Sequence, residues 1–314
     1  MRRAQPASGR DEAEGSAIAR RITCHLPAGS TGAAPFISWV TPQTAGWEFA
    51  SLRVADLAPG AELTLATGPE EMLVLPLSGG CVIRADGQEL ELRGRDTVFS
   101  GVSDFGYVPR DAELVISSAA GGRFALPGAL ASRRLPVRYG AADAVPVELR
   151  GAGQASRQVN NFCSPEGFET DRLTAVEVLT PAGNWSSYPP HKHDRAGPGE
   201  AVLEEIYYFE VGAGPDGPGF GFQRVYSASP DQPIDVLAQV RSGDVVLVPH
   251  GYHGPSMAAP GYPLYYLNVL AGPGEQRSMA FCDDPAHGWI RDSWAGQPID
   301  VRLPMTSAKG GACG

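Results

Sequence analysis

The sequence predicts an all-β protein built as two stacked barrels, and three observations lead there. Short apolar runs recur about every ten residues with turn signals between them. The chain holds 39 glycines and 28 prolines but only 19% charged residues, a composition that favours strands and turns over helices. The two halves also share a rhythm: "EEMLVLPLSGG" (Glu70–Gly80) resembles "EEIYYFEVGAG" (Glu204–Gly214), and "GRDTVFSGVSDFGYVP" resembles "SGDVVLVPHGYHGP". A repeat of this length means that one supersecondary plan is used twice.

In chain order, residues 1–24 read as a disordered tail, because they mix basic and acidic residues without the apolar core of a signal peptide. Residues 25–145 then carry the first barrel, through "WEFASLRVADL", "GAELTLATG", "EEMLVLPLSGGCVIRADGQELELRGRDTVFSG" and "AELVISSAAGGRFALPG". Within it, Asp86-Gly87 between two apolar runs is a hairpin signal, since Asp-Gly supplies positive φ. A linker-like stretch spans residues 138–158. Residues 146–304 form the second barrel, with strands in "LTAVEVLTPAG", "EEIYYFEVG", "GFGFQRVYS", "IDVLAQVRSGDVVLVPHG" and "YPLYYLNVLAG". Residues 305–314 read as a flexible tail.

Charge narrows the partners. At 314 residues, net charge −10 and pI near 5.1, the chain lacks the basic surface that nucleic acid needs. It has no run of about 18 apolar residues to span a membrane. Its five cysteines, Cys24, Cys81, Cys163, Cys282 and Cys313, are odd in number and form no C-x-x-C pair, as expected of reduced thiols. The expectation is a cytoplasmic protein with a small-molecule partner, in a homo-oligomer or alone.

The chemistry concentrates in "SSYPPHKHDR". In a helix His191 and His193 would point about 200° apart, whereas in an extended strand they share a face. Pro189 and Pro190 favour the extended form. Downstream strands add Glu205 and His253, so that three imidazoles and one carboxylate form a donor set suited to Zn, Mn, Fe or Ni.

These residues resemble the cupin motifs: Gly183, His191, His193, Glu205 and Gly212 match the first, and Gly243, Pro249, Gly251 and His253 the second. The insert "DRAGPGEAVLE" between His193 and Glu205 is longer than the family's usual spacing and must loop out from paired strands. More closely, "NWSSYPPHKHD", "LEEIYYFE", "GFGFQRVY", "DVVLVPHGYHGP" and "APGYPLYYLNVLAGP" resemble the 5-deoxy-glucuronate isomerases of bacterial inositol catabolism. Those are bicupins, tandem double-stranded β-helix (jelly-roll) barrels related to the ketol-isomerase of pectin breakdown. The resemblance, from about Cys24 to Pro304, implies a metal-binding C-terminal cupin, an N-terminal cupin without ligands, and an aldose–ketose isomerisation. It agrees with the absence of histidine from "ELTLATGPEEMLVL" and "DTVFSGVSDFGYVP". Zinc or manganese is the expected metal and a uronate the expected substrate. An Fe(II) dioxygenase, the pectin-pathway isomerase and a non-catalytic sugar-binding cupin are the competing classes.

Spacing to Gly212 favours Glu205 over Glu204, with Glu204 turned to solvent, and the Gly251-x-His order favours His253 over His250. Lys192, between two inward histidines, is expected at the surface. Asp194 either orients a ligand imidazole or starts a turn. His25 and His287 fall outside every motif. The acid/base is left open among Glu177, Tyr207 and a water on the metal. Polar residues in apolar strands, Gln223, Arg224 and Asn268, need partners, and a substrate is one. Arg224 is the first candidate for the substrate carboxylate and Arg157 the second. Alternation that turns Arg224 inward turns Gln223 outward.

Overall fold

The computed structural model describes residues 23–308. Helical structure among them is confined to short pieces such as Pro42–Ala45 and Asp292–Gly296, and the rest of the regular structure is strand. The Asp86-Gly87 turn forms as expected: Ala85 pairs with Gln88, and both turn residues have positive φ, 50° and 72°. That two-residue loop matches the right-handed twist of its strands.

In the first half a nine-stranded antiparallel sheet includes Ala50–Leu57, Glu70–Ala85, Phe105–Val108 and Gly122–Leu130. Its barrel interior is filled by Leu63, Val74, Ile83, Leu92, Ile116 and Phe124. A barrel packed with apolar side chains offers no cluster of ligand groups to an ion among the described residues. In the second half a seven-stranded sheet runs His25–Leu26, Val245–Val248, Glu204–Val211, Leu264–Ala271, Thr174–Thr180, Arg157–Asn160, Val147–Arg150. Facing it is a six-stranded sheet that includes Gly221–Tyr226, Tyr252–Ala258, His191–Lys192 and Cys282–Asp283. The cavity lies between these two sheets.

The barrels meet through the outer faces of their large sheets. Leu52, Leu73, Leu75 and Tyr107 pack with Leu179, Ile206, Tyr208 and Leu267 in one apolar cluster. Strands buried on both faces read as continuous apolar runs, which explains "MLVLPL" and "IYYFEV". Two carboxylates clasp the halves reciprocally. Glu71 accepts the backbone N–H groups of Asp171, Arg172 and Leu173 at 2.6–2.8 Å. Glu204 accepts those of Glu48, Phe49 and Ala50, each at 2.7 Å. Glu204 is therefore not a solvent-facing residue; its alternation carries it into the other barrel. The clasps also make Glu71 the counterpart of Glu204, so Met72 stands where the second barrel has Glu205.

Three boundaries differ from expectation. His25 and Leu26 do not join the first barrel but pair with Val246 and Val245 of the second, where His25 Nε2 lies 3.1 Å from Asp244. Met305 and Thr306 of the expected flexible tail are packed: Gln158 Oε1 accepts from the N–H of each, and Thr306 is buried. The stretch 138–158 is not free linker, because Val147–Arg150 and Arg157–Asn160 form a hairpin at the edge of the seven-stranded sheet.

Candidate metal centre and cavity

His191 and His193 lie in extended chain, and His191 pairs directly with His253 across two strands. The insert after His193 folds as a small hairpin, Asp194–Gly197 against Glu200–Val202, which turns the chain back so that Glu205 enters beside His193. One donor atom each from His193, Glu205 and His253 fall within 4.8 Å of one another, and all three residues are buried. The half-buried His191 ring packs on His253 with centroids 4.5 Å apart. His250, the alternative to His253, is outside this group.

The backbone orients all three imidazoles. Nδ1 of His191, His193 and His253 lies 3.1, 3.0 and 3.3 Å from the carbonyl oxygens of Pro189, Leu203 and Gly251. A carbonyl only accepts, so each Nδ1 carries the proton and each Nε2 presents a lone pair. Glu205 Oε2 lies 3.0 Å from Nε2 of both His193 and His253. His253 Nε2 has no hydrogen-bond partner among the described residues. The buried acceptors of His193, Glu205 and His253 converge and require a cation, and this donor set fits a divalent metal. Burial alone would raise the Glu205 carboxyl, but His253 and His193, when protonated at Nε2 with no cation between them, outweigh it and hold it well below the usual carboxylate range. Burial and the neighbouring His253 push His191 below its ordinary value.

The cluster opens onto a cavity of about 170 Å³. One wall is a face of the seven-stranded sheet: Arg157 and Val159, Val176 and Val178, Tyr266, Asn268 and Leu270, Glu205 and Tyr207. Ser187 closes one side, Met279 and Phe281 another, and Arg150 stands beside Arg157. The Tyr207 hydroxyl is 2.9 Å from Ser187 Oγ. Burial, then Glu205, raises the Tyr207 phenol well above its ordinary value, keeping it protonated. Asn268 is buried and its Nδ2 has no partner.

Several expected roles fail. Glu177 faces away from the cavity into the inter-barrel contact, where it accepts Arg95 Nη1 and Nη2 at 3.0 and 2.8 Å and Asn160 Nδ2 at 2.7 Å. The neighbouring Val176 and Val178 take the cavity face, so Glu177 cannot be its base. Strand Gly221–Tyr226 has the opposite register to that expected. Gln223 is fully buried and accepts from Ser256 Oγ, whereas Arg224 points outward to Asp235 and the Tyr226 ring. The inward side must be small: a Cβ on Gly221 would lie 2.8 Å from the Met257 carbonyl oxygen. Lys192 does point away from the imidazoles but is buried, bonded to Asp194 and Glu200. Asp194 holds Lys192 and the Gly251 N–H and touches no imidazole.

Sequence reasoning missed Arg150, Ser187, Met279 and Phe281. Arg150 had a legible signal in the alternation of "VELR", which lies inside the stretch 138–158 that reads as linker. Arg157, the second candidate for the carboxylate, takes the place that Arg224 loses. Its residue is 4% exposed, and no carboxylate among the described residues lies within 4 Å of its guanidinium. Burial, with Arg150 and Arg291 nearby, lowers it to about 10.

A double-barrelled, nearly all-strand chain with a His/Glu cluster in one barrel is a bicupin. Oxalate decarboxylase of Bacillus subtilis superposes with a TM-score of 0.54 over 78% of this chain and 74% of that one, at 15% identity, a likeness of fold. The family is closer: the profile of the KduI/IolB family matches residues 25–290, and the chain belongs to that family. It is 42% identical to the 5-deoxy-glucuronate isomerase of Geobacillus kaustophilus over 81% of this chain and 90% of that protein. With the isomerase of the same name from Bacillus subtilis strain 168 it shares 37% over 80% and 91%. An IolB-like protein from Salmonella typhimurium LT2 superposes with a TM-score of 0.78 at 34% identity, over 85% of this chain and 98% of that one.

Proposed function

We propose that this chain is a metal-dependent aldose–ketose isomerase of the cytoplasm that converts 5-deoxy-D-glucuronate to 5-dehydro-2-deoxy-D-gluconate in inositol breakdown. The observation that carries the reading is a buried guanidinium without an acid, Arg157, in the same cavity as a convergent His/Glu cluster. Relatives bearing the isomerase name over most of their length support it. The reaction moves a proton from C2 to C1 and another between the two oxygens, while the C6 carboxylate stays inert.

His193, Glu205 and His253, with His191 beside them, would hold the metal, zinc or manganese. Such an ion supplies Lewis-acid polarisation of the carbonyl and its neighbouring hydroxyl. Arg157 binds the carboxylate through its planar fork and fixes the open chain in one direction. Asn268 Nδ2 donates to a substrate oxygen, which satisfies an otherwise unpaired buried donor. Tyr207, kept protonated by burial, donates its O–H to an oxygen that gains charge. Val176, Val178 and Leu270 exclude water around the reacting carbons.

Proton NMR of the metal-supplied protein on 5-deoxy-glucuronate tests the function: the C1 resonances should disappear as those of a ketose CH2OH grow. No conversion with metal bound would refute it. Arg157→Gln should raise KM by roughly ten- to a hundredfold, the worth of a charge-assisted hydrogen-bond pair.

A further inference from the structure

Arg150 and Arg157 line the cavity and Arg291 lies near enough to act on Arg157; of these three guanidinium groups, two already have acids. Arg150 is paired with Glu148 at 2.9 and 2.7 Å, and Arg291 with both oxygens of Asp283. Arg157 alone lacks one, so the cluster carries a single unbalanced positive charge, the complement of one carboxylate. Among the described residues its side chain makes one hydrogen bond, from Nη1 to the Ala155 carbonyl at 3.0 Å. Its other support is the Trp294 ring, whose centroid lies 5.7 Å from Arg157 Cζ.

Trp294 does not belong to the barrel. It sits in the short 3-10 segment Asp292–Gly296, downstream of strand Cys282–Asp283, which pairs with His191–Lys192 at the cavity mouth. Arg291 lies over the Trp294 ring at 5.4 Å and over the Phe281 ring at 5.1 Å. Phe281 in turn packs on the His191 ring at 4.7 Å. A continuous series of contacts therefore runs from Arg157 across the mouth to the imidazole cluster. A 3-10 piece this short has little stability of its own, so its place depends on these contacts.

We propose that Trp294 is a positioning residue that acts through Arg157 to set how tightly and how selectively the cavity takes a carboxylate-bearing sugar, with the Arg291–Asp283 pair holding the indole in place. The proposal rests on Arg157 as the carboxylate anchor. An indole face covers a guanidinium without neutralising it, so the cation stays dehydrated and its fork keeps one direction. Without the ring, water solvates the guanidinium, and binding must remove that water again.

The test uses the full-length, metal-loaded protein with 5-deoxy-glucuronate and its C6 alcohol counterpart as substrates. Trp294→Leu should raise KM for the uronate about tenfold with kcat within about threefold, and shrink the preference for uronate over alcohol by a similar factor. Trp294→Phe should recover most of both, and metal content should not move. In an Arg157→Gln background Trp294→Leu should add nothing, because both act on one contact. Asp283→Asn, which frees Arg291, should give the same pattern at smaller size and serves if Trp294→Leu melts early.

If Arg157→Gln raises KM while Trp294→Leu and Asp283→Asn change neither KM nor preference, the positioning role is wrong and the carboxylate anchor stands. If Arg157→Gln leaves KM unchanged, the anchor itself fails. A fall in kcat at constant KM in Trp294→Leu also overturns the proposal.

Discussion

Replacing Glu177 separates stability from chemistry. The side chain is completely buried and accepts three hydrogen bonds, two of them from Arg95, whose side chain is 2% exposed. Glu177→Ala leaves that guanidinium with the Pro76 and Gly101 carbonyls but no counter-charge, and the Asn160 amide without its acceptor, deep in the contact between the barrels. Breaking a buried pair by removing one partner costs about 3–5 kcal/mol. For a chain of this size, at about 2 °C per kcal/mol, the melting temperature should fall by roughly 6–10 °C. Below the new transition kcat should remain within about threefold of the parent, because Glu177 reaches no atom of the cavity. Thermal melts followed by circular dichroism, with steady-state kinetics well below the transition, measure both quantities. Arg95→Met combined with Glu177→Met removes both charges and should recover much of the loss, since apolar replacement of a whole buried pair is often neutral. An unchanged melting temperature with kcat lowered a thousandfold would refute the reasoning and return Glu177 to the role of base.

Three further outcomes are expected. Wild-type protein should carry about one equivalent of divalent metal per chain, and elemental analysis of His253→Ala should find almost none while far-UV circular dichroism is unchanged. Arg224→Lys should leave KM and kcat within about twofold, because its partner Asp235 is solvent-exposed; Gln223→Ala should instead lower the melting temperature, and the reverse result would place the strand in the other register. Asp171 accepts bonds from Ser132 and Arg133 that outweigh its burial and hold its carboxyl down to about 2. A lowered folded-state pKa means stability present above the unfolded value, near 3.9, and lost as pH falls toward 2. Asp171→Asn should flatten the acid limb of a stability–pH curve in that window while lowering stability at neutral pH.

The motifs were legible because they are local. Period-two spacing behind two prolines placed His191 and His193 on one face, Asp86-Gly87 set a hairpin, and the doubled "EE" runs announced two barrels. Each depends on backbone preferences over a few residues. What local pattern could not supply was which face of a strand turns inward, and what meets it there. "GFGFQRVY" misled because its aromatics, Phe222 and Tyr226, lie on the outward side with Arg224, while the crowded interior admits only Gly221, Gln223 and Val225. Glu177 found its partner 82 residues away in the other barrel, and Glu204 its three amides more than 150 residues away. Arg150 and Arg157 became neighbours only when an apparent linker paired as an edge hairpin, and Trp294 reached Arg157 from beyond the last long strand. By itself the sequence determined the elements and singled out the candidate donors, because strand periodicity and turn chemistry act over a few positions. Only the tertiary structure decided which charges are buried together, because desolvation and pairing depend on surfaces that the chain brings into contact from far apart.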